Sequence, residues 1–407
     1  MHVLFVEPSF PANQSRFAEA LASVGARVTG IGEVPTESLP SSVRDRLYGY
    51  VHVRSVCDEE AMLAAVRHVQ GQEWVDRLEA TVEAHILPVS KVREATHIPG
   101  TSVRTAYLCR DKPAMKETLR AAGVPCAQSA GVASPEEARA FAHAVGYPII
   151  LKPRSGAGAA GTERIDDDDA LGRAIESHGI SQGHSVAAEE FIEGHEGFYD
   201  TLCVDGEVVH DFISHYYPGV LEAMRTRSVS PYLITTNRMD ASAYEEVRRL
   251  GRTVIRELGI GTSAVHMEWF FGPKGLKFSE VGCRPPGVGT WDVYSAANGM
   301  DLYRDWAHAV THGTVEGRPS RAFAAGIVAL RPEADGRIAG YEGREAVEHA
   351  YREWIIDGHF PPPGTPTQPI EAGYMANAWL RMRHPDYDEL RSMFDAVGRT
   401  IRVRVTD

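Results

Sequence analysis

Between Ala264 and Gly287 the chain reads AVHMEWFFGPKGLKFSEVGCRPPG. Its chemistry-bearing residues are two acids, Glu268 and Glu280, with His266 before the first and Arg284 after the second. The apolar runs on either side of Gly272-Pro273-Lys274-Gly275 predict two strands joined by a tight turn. In such a hairpin the two carboxylates lie side by side and repel each other unless a cation bridges them. Oxygen ligands fixed on a sheet, a few to each ion, suit magnesium held partly by a nucleotide's phosphates. Two solvated acids on an exposed strand face are the alternative, and the hairpin alone leaves both open.

Upstream, Ile149-Ile150-Leu151-Lys152 predicts a buried strand ending on a lysine, directly before the loop RSGAGAAGT. Burying that charge requires an anionic partner. The small residues from Ser155 to Gly161 make a loop whose N–H groups can close over phosphates. No Gly-Lys-Ser/Thr follows, so it is not a Walker loop. A helix over Arg110–Ala122, capped by Asp111 with Pro113 in its first turn, carries Lys112 and Lys116 on one face. Either lysine could reach a phosphate, although Lys116 reads better as a solvated surface residue. Ala187 to Gly194 is a strand running into an acidic connection. Backbone groups from Glu190 to Ile192 could read an adenine edge there, with Glu189 on its amino group and Glu196 on a ribose hydroxyl. The residues alone describe a charged hinge equally well.

These groups need a scaffold. Residues 1–105 read as an alternating α/β unit: strand His2–Val6, helix Ser15–Val24, strand Arg27–Ile31, then helices over Glu59–Gln70 and Trp74–Ala84. The pattern is doubly wound and mostly parallel. Its first turn, EPSFPANQSRF, lacks Gly-x-Gly-x-x-Gly, which leaves a scaffold with a substrate edge at Pro8–Gln14. A chain of 407 residues implies two to four such units. The net charge of -13 and the lack of any basic run argue against a nucleic-acid partner. No apolar stretch is long enough to cross a bilayer, and MHVLFVEPSF reads as a buried strand rather than a signal peptide. Five scattered cysteines without a Cys-x-x-Cys pair fit the reducing cytoplasm and no cysteine-built zinc site.

Taken in order, these motifs resemble the ATP-grasp superfamily. The likeness is in particular to its carboxylate–amine ligases, which include biotin-carboxylase-like and L-amino-acid (dipeptide) ligase members. The resemblance spans nearly the whole chain. It rests on Asp111-Lys112, Gly146-Tyr147-Pro148 to Lys152 with the glycine loop, Glu189-Glu190-Phe191-Ile192 with Glu196, His266-x-Glu268, and Glu280-x-x-x-Arg284. The twelve residues from Glu268 to Glu280 and the four more to Arg284 are its most diagnostic part. The resemblance implies a fold that is part α/β and part α+β. A Rossmann-like (preATP-grasp) domain would span residues 1–105, and an ATP-grasp domain with a central antiparallel sheet residues 106–320. Within the latter a lid subdomain would cover about 124–190, and a β-rich C-terminal subdomain would span 321–407, with a strand at Ala324–Leu330. ATP and magnesium are the implied cofactors, as one or two ions with manganese as a substitute. The implied setting is a homodimer acting on small molecules.

Residue by residue, the resemblance puts Lys112 and Lys152 on nucleotide phosphates, under a lid that includes Ser155, Gly156, Gly158 and Gly161. Glu189, Phe191 and Ile192 would frame the adenine, Glu196 the ribose, and Glu268 and Glu280 would hold the metal. Arg284 would stabilise an acyl phosphate or grip a substrate carboxylate. His215, in FISHYYPG, follows a strand and could face the phosphates or the acyl group, though beside two tyrosines it also suits a structural role. Gly282 is a departure: many members of the family carry asparagine there, so the second ion loses a ligand. Arg225 and Arg227 could line a carboxylate pocket or a solvated loop, and Trp291 and Tyr294 a substrate wall or core. Cys283 reads as a small packed residue and Asp166–Asp169 as a turn or helix start. The implied reaction joins an amino-acid-like carboxylate to an amine through an acyl phosphate, releasing ADP and phosphate. Two alternatives stand beside it: an enzyme of the carboxylase or purine-pathway type that activates bicarbonate or formate, and a nucleotide-binding protein that has lost catalysis.

Overall fold

The computed structural model describes residues 1–156, 161–370 and 377–406. Near the N-terminus, strands Gly49–His52, Arg27–Gly32, His2–Val6 and Arg77–Glu79 lie side by side in that order, all parallel. Side chains of His2–Val6 alternate between two cores. Leu4 and Val6 meet the helices Glu59–Gln70 and Glu83–Thr96, while Val3 and Phe5 meet Gln14–Ser23. The doubly wound pattern therefore holds, with one correction: Trp74–Ala84 is not a helix. Arg77–Glu79 pairs with Val3–Phe5 as an edge strand, Trp74 stands exposed, and the helix begins only at Glu83. Val75 and Leu78 have a helix-like spacing, but strand pairing carries both into the same core.

A second, antiparallel sheet has the order Ser129–Val132, Val186–Glu190, Ile149–Pro153, Glu163–Ile165. Helices Pro135–Val145 and Asp168–Ser177 back it through Ala138, Ala142, Leu171 and Ile175. Asp167 caps the second helix by accepting from Ala170 N, so the acidic run is a helix start.

The third sheet has eight antiparallel strands. Their order is Gly275–Gly282, Ser263–Gly272, His195–Val204, Glu207–Tyr217, Tyr232–Thr235, Ala324–Leu330, Ala378–His384, Ile355–His359. Three of the strands beyond residue 321 thus extend the central sheet, while Arg337–Glu342 and Arg402–Thr406 pair separately, and helix Tyr387–Thr400 packs over the three through Leu390, Phe394 and Val397. On Ser263–Gly272, alternation sends Val265, Met267 and Trp269 into a rear core with helix Glu245–Leu258. His266, Glu268 and Phe270 face the other way. Helices Thr290–Asn298 and Leu302–His312 fill the space between this sheet and the parallel one. Trp291, Tyr294 and Trp306 share a core there with Phe5, Phe17 and Phe198. Trp291 and Tyr294 are accordingly core residues.

Candidate active site

Glu268 and Glu280 are direct cross-strand partners, with a β-bulge immediately after Glu268. Both line a cavity of about 1120 Å³ bounded by the second and third sheets and by N-terminal segments outside the parallel strands, including Gln14 and Thr81 to Glu83. Lys112 Nζ lies 3.4 Å and Lys152 Nζ 3.7 Å from Glu280 Oε2, longer than hydrogen bonds. Burial opposes the charge of Glu280, but Lys112 and Lys152 outweigh it and bring the pKa down to about 2. Glu268 has His266 Nε2 at 3.5 Å. Two carboxylates facing one another on a rigid hairpin, neither gripped tightly by a protein cation, fit a divalent ion that takes oxygen ligands. Among the described residues no group of three or more His, Cys, Asp or Glu converges on one point. Such an ion would therefore complete its shell from a bound ligand or water.

The lysines come from two elements. Helix Lys112–Ala121 is capped by Asp111, whose Oδ1 accepts from Ala114 N, and Arg154 grips the same carboxylate through two bonds of 2.9 Å. Lys112, Met115, Lys116 and Leu119 all lie on the buried face of this helix. Lys116 is therefore not a solvated lysine, contrary to the expectation from sequence. It goes inward with the apolar residues, is only 1% exposed, and its Nζ lies 2.6 Å from Glu189 Oε2. Lys152, at the end of its buried strand, reaches the same oxygen at 3.0 Å. Burial lowers the Lys116 pKa to about 8 against the pull of Glu189. Burial also opposes the charge on Lys152, but Glu189 and Glu280 more than offset it and the net shift is upward. Glu189, expected to frame the adenine, holds two lysines. Its Oε1 is buried with no hydrogen-bond partner among the described residues.

Phe191, Ile192 and Glu196 line the same cavity, and Arg164 stacks on the Phe191 ring at 4.4 Å. Glu196 Oε2 accepts from Val220 N at 2.6 Å. Burial, with Glu268 adding to it, raises the Glu196 pKa to about 8. Gly156 is on the cavity wall and its carbonyl accepts from Lys112 Nζ at 3.0 Å. Ser155 and Gly161 are exposed and away from the wall, while Ala157, Gly158 and Ala159 lie outside the described residues.

Arg284 also lines the cavity and brings in a residue that the sequence did not single out. Arg284 Nε donates to Glu83 Oε2 at 2.9 Å, bringing in the first residue of helix Glu83–Thr96. A Cβ on Gly282 would lie 2.9 Å from that same oxygen, so the glycine leaves the room Glu83 occupies. Of the expected substrate edge, Pro11, Asn13 and Gln14 line the wall. His266 is also on it, with Nδ1 2.7 Å from the buried Asp200. Burial opposes its protonation, but Asp200 outweighs burial and raises its pKa to about 9.

His215 is not among these residues. Neighbouring strand residues face opposite ways, so with Tyr216 on the cavity wall His215 turns to the rear of the sheet. There it bonds His195 Nε2 at 2.9 Å and the Tyr244 hydroxyl at 2.8 Å, and burial lowers its pKa to about 3. The expectation that it faces the phosphates is corrected accordingly. Arg225 lines the cavity, whereas Arg227 turns to Asp335 at 2.8 Å. Cys283 is a buried thiol 2.9 Å from the sulfur of Cys109, a packed residue as expected.

Residues 117–298 match the family model of the ATP-grasp domain. The L-arginine-specific L-amino acid ligase of Bacillus subtilis is 30% identical over 268 residues, covering 62% of this chain and 64% of that protein. The match therefore spans a little less than two thirds of that ligase's length. Among solved structures, L-amino acid ligase from Bacillus licheniformis superposes with a TM-score of 0.77 at 19% identity, over 100% of this chain and 99% of that one. The biotin carboxylase domain of the Hydrogenobacter thermophilus 2-oxoglutarate carboxylase, in complex with MgADP, ADP and bicarbonate, gives 0.69 at 18%, over 99% and 90%.

Proposed function

We propose, from the match of residues 117–298 to the ATP-grasp domain, that this chain is an ATP-dependent ligase joining an amino-acid carboxylate to an amine, with release of ADP and phosphate. The observation that carries the proposal is the layout of one continuous cavity. Lys112, Lys116 and Lys152 crowd one part, Glu268 and Glu280 face each other beside them, and the Glu83–Arg284 pair lines the same cavity. A triphosphate suits the lysines. A zwitterionic amino acid suits the pair, with its carboxylate on Arg284 and its ammonium on Glu83. Bicarbonate has a single O–H and no ammonium group to pair with Glu83, which favours the ligase over a carboxylase.

Glu268 and Glu280 would hold magnesium, which when bound neutralises charge between carboxylate and triphosphate. Lys112 and Lys152 screen the same repulsion from the protein side, and Arg284 orients the carboxylate so that its oxygen meets the γ-phosphorus. That attack forms a C–O–P acyl phosphate and breaks the bond to ADP. The second substrate's neutral amine adds to the acyl carbon. The tetrahedral oxyanion then collapses, expelling phosphate with the C–O electron pair, and the amide nitrogen loses its proton. The loop from Ser155 to Gly161 would act as a lid that keeps water from the acyl phosphate. We assign residues 1–105, 106–320 and 321–407 as the working domains. No helix among the described residues is long and apolar enough to cross a membrane, and a homodimer in the cytoplasm is the proposed setting.

The test is phosphate release from MgATP across a panel of amino acids, supplied singly and in pairs. The expected result is release that depends on a particular acid and amine. Bicarbonate-driven turnover without any amino acid would sink the proposal.

A further inference from the structure

Gln14 is only 2% exposed, yet it lines the same cavity as Glu83. Thr81 Oγ1 donates to its Oε1 at 2.6 Å. Among the described residues no hydrogen bond engages Gln14 Nε2. Nε2 is not fully buried and opens on the cavity, where a ligand's acceptor can engage it. Thr81, with its proton committed to Gln14, keeps lone pairs free to accept. The two residues therefore present one donor and one acceptor side by side. Between Thr81 and Glu83 the backbone at Val82 is extended, with φ -103° and ψ 133°. Thr81 and Glu83 consequently project to the same side, roughly 7 Å apart.

We infer that Gln14 selects a substrate amino acid whose neutral side chain both accepts and donates a hydrogen bond, a primary amide above all, with Thr81 as the positioning residue. This rests on the reading that Glu83 and Arg284 hold the amino and carboxylate groups of that substrate. A side chain of about glutamine's length then carries its amide to Gln14 and Thr81, its carbonyl meeting Nε2 and its N–H meeting Oγ1. An aliphatic side chain leaves Gln14 Nε2 unpaired, which sites built on hydrogen bonds reject strongly. A carboxylate side chain faces Glu83, while Arg16 on the same helix is engaged by Asp292.

The experiment measures MgATP-dependent phosphate release with a fixed amine and, as the acid, glutamine, its near-isostere methionine, or glutamate. The wild type, Gln14→Leu, Gln14→Glu and Thr81→Val are compared, and a thermal shift on MgATP addition verifies that each variant is folded. The wild type is expected to favour glutamine over methionine by about 10- to 100-fold in kcat/KM. Gln14→Leu should erase that preference by raising the KM for glutamine more than the KM for methionine, and Thr81→Val should weaken it in part. Should Gln14→Leu fail the thermal-shift check, the same ratio in Gln14→Glu decides, because that variant keeps the size and removes the donor. Equal losses for glutamine and methionine, or a wild-type preference for methionine, overturn the inference and leave the ligase reading standing. No release with any amino acid by wild type that still binds MgATP overturns both.

Discussion

Glu83 and Arg284 stand 201 residues apart in sequence and are joined by a 2.9 Å bond from Arg284 Nε to Glu83 Oε2. Gly282 is what makes room for it, since any Cβ there would press on that oxygen at 2.9 Å. The glycine thus has a steric role separate from metal binding, and a substitution tests which role matters. Gly282→Asn should raise the KM for the amino-acid substrate about tenfold or more by displacing Glu83. The magnesium requirement should not fall. If asparagine at this position were simply a missing metal ligand, the variant would need less magnesium and keep its amino-acid KM. KM titrations at several magnesium concentrations separate the two.

Glu280→Gln should lower kcat by about 10²- to 10³-fold, as loss of one preorganised charged group at a reacting phosphate does. The variant should still bind ADP, because Lys112, Lys116 and Lys152 remain. The extra thermal stabilisation that magnesium adds to ADP should disappear with the carboxylate. Thermal shifts with ADP alone and with MgADP, alongside single-turnover rates, provide the check.

Glu196 gives a pH prediction. Burial, helped by Glu268, raises its pKa from 4.5 to about 8. The folded protein then holds a proton that the unfolded chain has released. The stability tied to neutral Glu196 is complete below about pH 4.5 and is lost as pH rises toward about 8, a swing on the order of a few kcal/mol. Glu196→Gln keeps the acceptor for Val220 N and cannot ionise. Without nucleotide, urea unfolding should show the variant more stable than wild type at pH 8, with its decline across pH 5–8 flattened.

What the sequence disclosed about this site follows from how locally each residue is determined. The turn at Gly272–Gly275 sets the hairpin register, so Glu268 and Glu280 were legible together. Lys152 was legible because a buried strand runs straight into it. Gln14 fell within the expected edge Pro8–Gln14, but Glu83 and Thr81 reach the cavity because helices Thr290–Asn298 and Leu302–His312 seat the parallel sheet against the central one, and no local pattern announces that. The edge strand Arg77–Glu79 is three residues long, too short for a period of two to show. For His215 a signal existed: strand alternation cannot place both it and Tyr216 in the cavity. Lys116 carried one as well, in its spacing from Met115 and Leu119.

That spacing leads to a stability test. Lys116 and Glu189 form a 2.6 Å pair whose side chains are 1% and 6% exposed, so water cannot take over for a missing partner. Removing one member of such a pair typically costs about 3–5 kcal/mol. Lys116→Met keeps the length and the apolar stem, and it should lose stability in that range at pH 7. Glu189→Gln should lose a similar amount, because Lys116 and Lys152 both lean on that carboxylate. The double variant should fall short of the sum of the two losses by about 1–3 kcal/mol, the coupling expected of side chains in direct contact. A solvated lysine on an exposed helix face would change stability by no more than about 0.5 kcal/mol on the same substitution. Urea denaturation of the three variants therefore distinguishes a buried charge network behind the phosphate site from the surface residue that the sequence suggested.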